Sequence, residues 1–194
     1  MKKFTVLILS LAMACSLVAC GKEDKKENTE ATEEAVQITD SLEVLTTVWG
    51  SYEDADKFPV AGGDYNNSVM DAPGTFDVSD TVSLDAMLGV PEASAALVDG
   101  AASIMHMMNA NTFTAGVYHV ADSANQADFC TALKDNIMNR QWMCGFPDTL
   151  IVVTIGNEYV VSAFGAADVI ETFKTKLTTE YPMAEIMFEE SLAQ

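Results

Sequence analysis

The sequence predicts an α+β domain: an antiparallel sheet of four or five strands with two helices on one face, plus an N-terminal helix. Three observations lead there. Two stretches rich in Val and Ile, 150–155 and 159–164, flank Gly156-Asn157 as the arms of a hairpin flank its turn. A segment with apolar residues at helical spacing lies on each side of that pair. Beyond each of those segments stands another strand-like run, so that from Phe113 the order is strand, helix, strand, strand, helix, strand.

Taken in order, Thr39, Asp40 or Ser41 can cap a first helix whose apolar residues Leu42, Leu45, Val48 and Trp49 share one face, ending at Gly50. Residues 58–80 read as a loop, because Pro59, Gly62-Gly63, Asn66-Asn67 and Pro73-Gly74 all favour turns. Loops of this length in a domain are often functional. A short helix over about 80–88 is stopped by Gly89 and Pro91. Residues 92–108 admit two readings. Ala93, Leu97, Ala101, Ile104 and Met108 have helical spacing, while Asp99-Gly100 and the run 109–112 look like turns around a strand over 102–108 paired with 113–120. The hairpin is the reading adopted. Ser123 and Gln126 form a capping box for a helix over 124–142 that turns Phe129, Cys130, Leu133, Ile137 and Met138 inward. After it, Gly145 and Pro147 close a turn in which Trp142 and Phe146 pack on the core. Gly165 leads into a last helix carrying Val169, Ile170, Phe173 and Leu177, which ends before Pro182, and 183–188 form the final strand.

The strand and helix order resembles the split βαβ plan of ferredoxin-like domains, which implies both helices on one side of the sheet. Two-residue pairing across Gly156-Asn157 puts Ile151, Val153 and Val160 on one face and Leu150, Val152 and Val161 on the other. Both faces are apolar, so the helix at 40–50 with the loop after it, or a partner, must cover the second.

The N-terminus has its own logic. Lys2 and Lys3 precede an apolar run of about 16 residues, short of the roughly 20 that span a bilayer as a helix. The run ends in Leu17-Val18-Ala19-Cys20, which resembles the lipobox of bacterial lipoprotein precursors. The resemblance implies that residues 1–19 are a signal peptide and that Cys20 carries diacylglycerol, with acyl chains that hold the protein on the extracytoplasmic face of the cell membrane. Residues 20–38 then form an acidic tether too polar to fold, with a mean reach of about 23 Å, and 39–194 form a single domain. That domain, with its segments MMNANTFTAGVYHV and GNEYVVSAFG, also looks like uncharacterised lipoproteins of anaerobic Gram-positive bacteria, a likeness that implies no activity and no site residues.

Charge narrows the partners. From Asp40 onward there are 23 Asp and Glu against five basic residues, Lys57, Lys134, Arg140, Lys174 and Lys176. Such a surface repels nucleic acid and anionic lipid. It serves solubility, or attracts cations and basic polypeptides. Cys130 and Cys144 are the two thiols left to the domain; placed 14 residues apart on one helix they stand about 21 Å apart, too far for a disulfide.

No sequence motif points to catalysis. His106 and His119 share a strand face but pair with Ala115 and Ala102, so they are not neighbours, and no zinc-binding spacing accompanies them. The run Cys144-Gly145-Phe146 resembles the active loop of single-cysteine glutaredoxins, but Pro147 stands where Ser is expected, and the Cys ends a helix instead of beginning one. Asp64, Asp71, Asp77, Asp80 and Asp85 offer hard oxygen ligands of the kind calcium takes, without the spacing of an EF-hand. The functional expectation is a membrane-anchored, non-catalytic module, without cofactor, that binds a protein or envelope component through the apolar sheet face or the 58–80 loop. The alternatives are a thiol-based redox enzyme at Cys144 and a calcium-binding surface protein.

Overall fold

The structure, a computed structural model, describes residues 37–143 and 145–192. Residues 1–36, where the signal peptide, the lipidated Cys20 and nearly all of the tether are expected, lie outside the described residues, as does Cys144. Five long strands carry the sheet: β4 (Val98–His106), β5 (Phe113–Val120), β6 (Thr149–Ile155), β7 (Tyr159–Gly165) and β8 (Ala184–Ser191). Three short ones precede them, β1 (Val60–Gly62), β2 (Val69–Met70) and β3 (Gly74–Phe76). All pair antiparallel in the order β2-β1-β4-β5-β7-β6-β8, with β3 on β4.

An eight-stranded sheet replaces the expected four or five strands, because β1, β2 and β3 all lie inside the stretch read as loop. Segments of two or three residues are too short to show alternation, and their turn-forming neighbours dominate the composition. β1 and β3 share the edge of β4 end to end, β1 against Ile104 to His106 and β3 against Ala101 to Ser103. Gly62 and Gly74 meet at that junction, where a Cβ on Gly62 would lie 2.2 Å from the Gly74 nitrogen.

The helices α1 (Ser41–Gly50), α2 (Thr81–Ser83), α3 (Gln126–Met138) and α4 (Ala167–Glu180) do not fall on one face as the ferredoxin-like plan requires. α4 packs with α1 on one side, where Val44, Leu45, Val48, Ile170, Phe173 and Leu177 meet Val117, Ile151, Val153 and Val161. α3 lies on the other, its Phe129, Cys130, Leu133 and Ile137 packed against Tyr118, Leu150, Val152, Val160 and Phe164. Strand order supplies the reason. The connection β5–α3–β6 steps over β7, and β7–α4–β8 steps over β6 in the same direction along the sheet, yet β5 and β7 run oppositely. Two such crossovers of one hand must take opposite faces. In a ferredoxin-like sheet the last strand returns beside the first, and both helices share a face; here β8 lies outside β6 instead. Each large aliphatic side chain fully buried in these layers contributes about 1.5–3 kcal/mol. Both sheet faces are covered within the chain, which removes the open apolar face as a docking surface.

Register moved where turns were misread. Ile155 pairs with Tyr159, so the loop is three residues, Gly156 to Glu158, and not two. The one-residue difference exchanges Val160 and Val161 between faces relative to the expected arrangement. Asp99-Gly100 sits in β4 at a bulge, and His119 pairs with Gly100 instead of Ala102. α1 is capped by Asp40, whose carboxylate accepts from the Glu43 N–H at 2.8 Å while Glu43 accepts from the Thr39 N–H at 2.7 Å. α3 begins after a 3-10 turn at Ser123–Asn125, and the Gln126 amide donates to the carbonyls of Gly156 and Tyr159 instead of closing a capping box. It ends four residues before the expected 142. The outer strand β8 carries Glu185, Glu189 and Glu190 and pairs with β6 across a bulge, features that discourage edge-to-edge pairing.

Candidate functional site

Where α3 ends, the chain builds a cleft of about 580 Å³. Its floor and walls come from the last turn of α3 with the segment after it (Asn136, Arg140, Trp142), a turn following α2 (Asp85, Met87), and the ends of β4, β5 and β7 (Met105, Thr114, Phe164), joined by Tyr65 from the β1–β2 connection and Asn111 from the β4–β5 connection.

The turn is unusual in its hydrogen bonding. Asp80 caps α2 by accepting from the Ser83 N–H at 3.0 Å, and the helix then widens into a π-helix over Leu84–Leu88. π-turns are rare and frequent at functional sites. Gly89 ends it at φ 77°, and a Cβ there would lie 2.4 Å from Ile137 Cγ1, so only glycine lets the turn lie this close on α3. α3 and the residues just after it clamp the turn with polar groups. Asn136 Nδ2 donates to Asp85 Oδ1 at 2.7 Å and to the Gly89 carbonyl at 3.0 Å, and the Arg140 guanidinium donates to the Asp85 carbonyl.

Arg140 is the chemical centre of the cleft. It is the sole arginine in the sequence, and it forms none of the ion pairs among the described residues. Its guanidinium lies 5.3 Å from the Trp142 ring centre and 6.0 Å from that of Phe164, and the two rings pack at 5.2 Å. Burial holds it below its ordinary basicity, against the opposing influence of the Asp85 carboxylate and Tyr118. Asn111 fixes the rim by donating to the Met143 and Gly145 carbonyls at 3.0 and 2.9 Å. Among the described lining residues there is no histidine or cysteine, and the Thr114 hydroxyl is engaged with the Ala110 carbonyl at 2.9 Å. A cation between aromatic and thioether walls, ringed by amides, is equipped to bind and orient; among the described lining residues no activated nucleophile stands beside it.

Of the residues singled out in the sequence, Asp85 and Trp142 line the cleft, and the histidines, Asp64, Asp77 and Asp80 fall elsewhere. His106 accepts from the Met108 and Asn109 N–H groups and stacks on Phe58, whereas His119 contacts Asp99 and packs on Tyr159; they stand at opposite ends of the β4–β5 pair. Asp64 is buried, with its carboxylate accepting from the backbone of Asn66, Asn67 and Asp77. Asp77 and Asp80 each accept from a nearby serine, and Asp85 faces the cleft. These carboxylates are spent separately, and among the described residues no three His, Cys, Asp or Glu converge as metal ligands. Cys130 is a buried free thiol pushed up to about 11 by burial. Cys144 lies outside the described residues. Trp142 is half-buried against the core as expected, while Phe146 is exposed.

Sequence reasoning missed Arg140 as a site residue, counting it only as one of five cations. The available signal was a lone arginine two residues from a tryptophan in a strongly acidic chain. No family model, curated protein or solved structure matches this chain.

Proposed function

We propose that this chain is a membrane-anchored extracytoplasmic lipoprotein whose domain is a non-catalytic binding module, with the cleft around Arg140 as its ligand site. The anchoring part rests on the lipobox at Leu17 to Cys20. The binding part rests on one observation: a half-buried guanidinium with no ion-pair partner among the described residues, set between Trp142 and Phe164. Desolvating a cation is costly unless something compensates for it. A bound ligand supplies that compensation, and the cleft falls in the size range of small-molecule sites, about 300–1,000 Å³.

Two measurements test the reading. In nitrogen-edited NMR spectra of the purified chain, Trp49 and Trp142 give two indole signals, assigned through Trp142→Phe. Mixtures of amino acids, sugars, nucleosides and small carboxylates are expected to move the Trp142 signal and leave Trp49 in place, with every compound recovered unchanged. Binding at this cleft is refuted if no mixture moves Trp142, and the non-catalytic reading is refuted if a compound is consumed. Anchoring is tested by fractionation: wild type should stay with membranes, and Cys20→Ala should leave them.

A further inference from the structure

We infer that the cleft takes a small zwitterion of the amino-acid or short-peptide class with an apolar side chain, its carboxylate on Arg140 and its ammonium on Asp85. This deepens the binding reading above and rests on it.

The charge pattern leads to this class. Arg140 offers a planar fork of donors suited to a carboxylate, and among the described residues its one hydrogen bond goes to the Asp85 main-chain carbonyl. Asp85 lines the same cleft, and its carboxylate, held by Asn136 at one oxygen, is close enough to influence Arg140 without forming an ion pair with it. The cleft thus presents one positive and one negative group that do not neutralise each other by contact. A ligand with both charges can bridge them. A simple anion would meet both Asp85 and the field of a domain with far more acidic than basic groups, and a simple cation would leave Arg140 without a partner. Phosphate groups, with more charge, would be repelled further.

The rest of the lining fits an apolar body. Met87, Met105, Trp142 and Phe164 surround the charged pair, and thioether and aromatic walls adapt to aliphatic, sulfur-bearing and aromatic side chains alike. The volume exceeds that of one amino acid, so the same two charges could hold either a free amino acid or a dipeptide.

The test uses the full chain at physiological salt and follows the Trp142 indole signal during titration with L-methionine, N-acetyl-L-methionine, L-methioninamide and methionyl-methionine. Methionine or the dipeptide is expected to saturate the signal, and which binds tighter separates amino acid from peptide. Each blocked compound, lacking one charge, is expected to bind roughly ten- to a hundredfold more weakly. Arg140→Gln should erase the preference for a free carboxylate, and Asp85→Asn, which can keep a hydrogen bond with Asn136, should erase the preference for a free ammonium. If Arg140→Gln fails to fold, the comparison of the four ligands on wild type still decides. Equal binding of free and blocked methionine overturns the proposal, as does a Trp142 signal that neither zwitterion moves. If other compounds move that signal while the zwitterions do not, the zwitterion is refuted and the binding module stands; if nothing moves it, both fall.

Discussion

A carboxylate with almost no access to water needs hydrogen bonds in place of its hydration, and Asp64 has them. Oδ1 accepts from the N–H groups of Asn66 and Asn67 at 2.8 Å, and Oδ2 from that of Asp77 at 3.0 Å, thirteen residues away. One side chain therefore ties the turn after β1 to the chain after β3. Burial pushes its pKa up, and the bonds from Asn67, Asp77 and Asn66 outweigh that and hold it below the ordinary 3.8. Asp64→Ala leaves the Asn66 and Asp77 N–H groups without partners, and the Asn67 N–H with only the Asp64 main-chain carbonyl at 3.3 Å, and should cost about 2–3 kcal/mol in urea unfolding at neutral pH; Asp64→Asn should cost about 1 kcal/mol or more. The sign of the pH dependence follows from the lowered pKa. The carboxylate's contribution is present above 3.8 and is lost as pH falls through the lower folded value. The stability gap between wild type and Asp64→Asn should therefore shrink when unfolding is repeated near pH 3, and a gap that widened in acid would contradict this role.

The π-turn at Leu84–Leu88 is the element on which the cleft depends, because it carries Asp85 and Met87 and is pinned by Asn136 of α3 and by Arg140 just after it. Gly89→Ala strains a left-handed residue and drives a methyl into Ile137, so it should destabilise by roughly 1–3 kcal/mol and move the Trp142 indole signal without any ligand. Gly50→Ala is the control. Nothing lies within 4 Å of a Cβ there, and the change should be neutral or stabilise by up to about 1 kcal/mol. Equal losses from the two substitutions would show that the close approach to α3 does not matter. The π-turn also marks how far sequence legibility reached. Long elements with strong periodicity were readable: α1 and α4 carry the expected residues, α3 turns Phe129, Cys130, Leu133 and Ile137 inward but leaves Met138 exposed at its last turn, and β5 has the expected limits. Short elements were not, since β1 to β3 have too few residues for a pattern. The widening of a helix at Leu84 leaves no compositional trace, and Asp99-Gly100 has the chemistry of a turn whether it turns or bulges. The cleft was unreadable for a related reason. Asp85, Met105, Arg140 and Phe164 are far apart in the chain, and only pairing of β5 with β7 and docking of α3 bring them together.

Over the whole molecule the decisive quantity is charge. Few of the carboxylates are matched: the ion pairs that lysines make among the described residues join Lys57 to Asp54, Lys134 to Asp135, and Lys174 to Glu171 and Glu189. The rest repel one another and any anion that approaches. Salt screens such repulsion, with a Debye length of about 30 Å at 0.01 M and about 8 Å at 0.15 M. The cleft lies within the domain's field, yet a zwitterion carries no net charge through it. Its affinity should hardly change between those two ionic strengths. N-acetyl-methionine, a monoanion binding through Arg140 alone, should bind more tightly as salt rises, because screening weakens long-range repulsion more than the close contact with a half-buried guanidinium. Methioninamide, a cation, should weaken over the same range. Three titrations of the Trp142 signal at each ionic strength measure all three slopes. A zwitterion whose affinity fell with salt as steeply as the cation's would mean that its ammonium dominates binding, with the carboxylate not seated on Arg140.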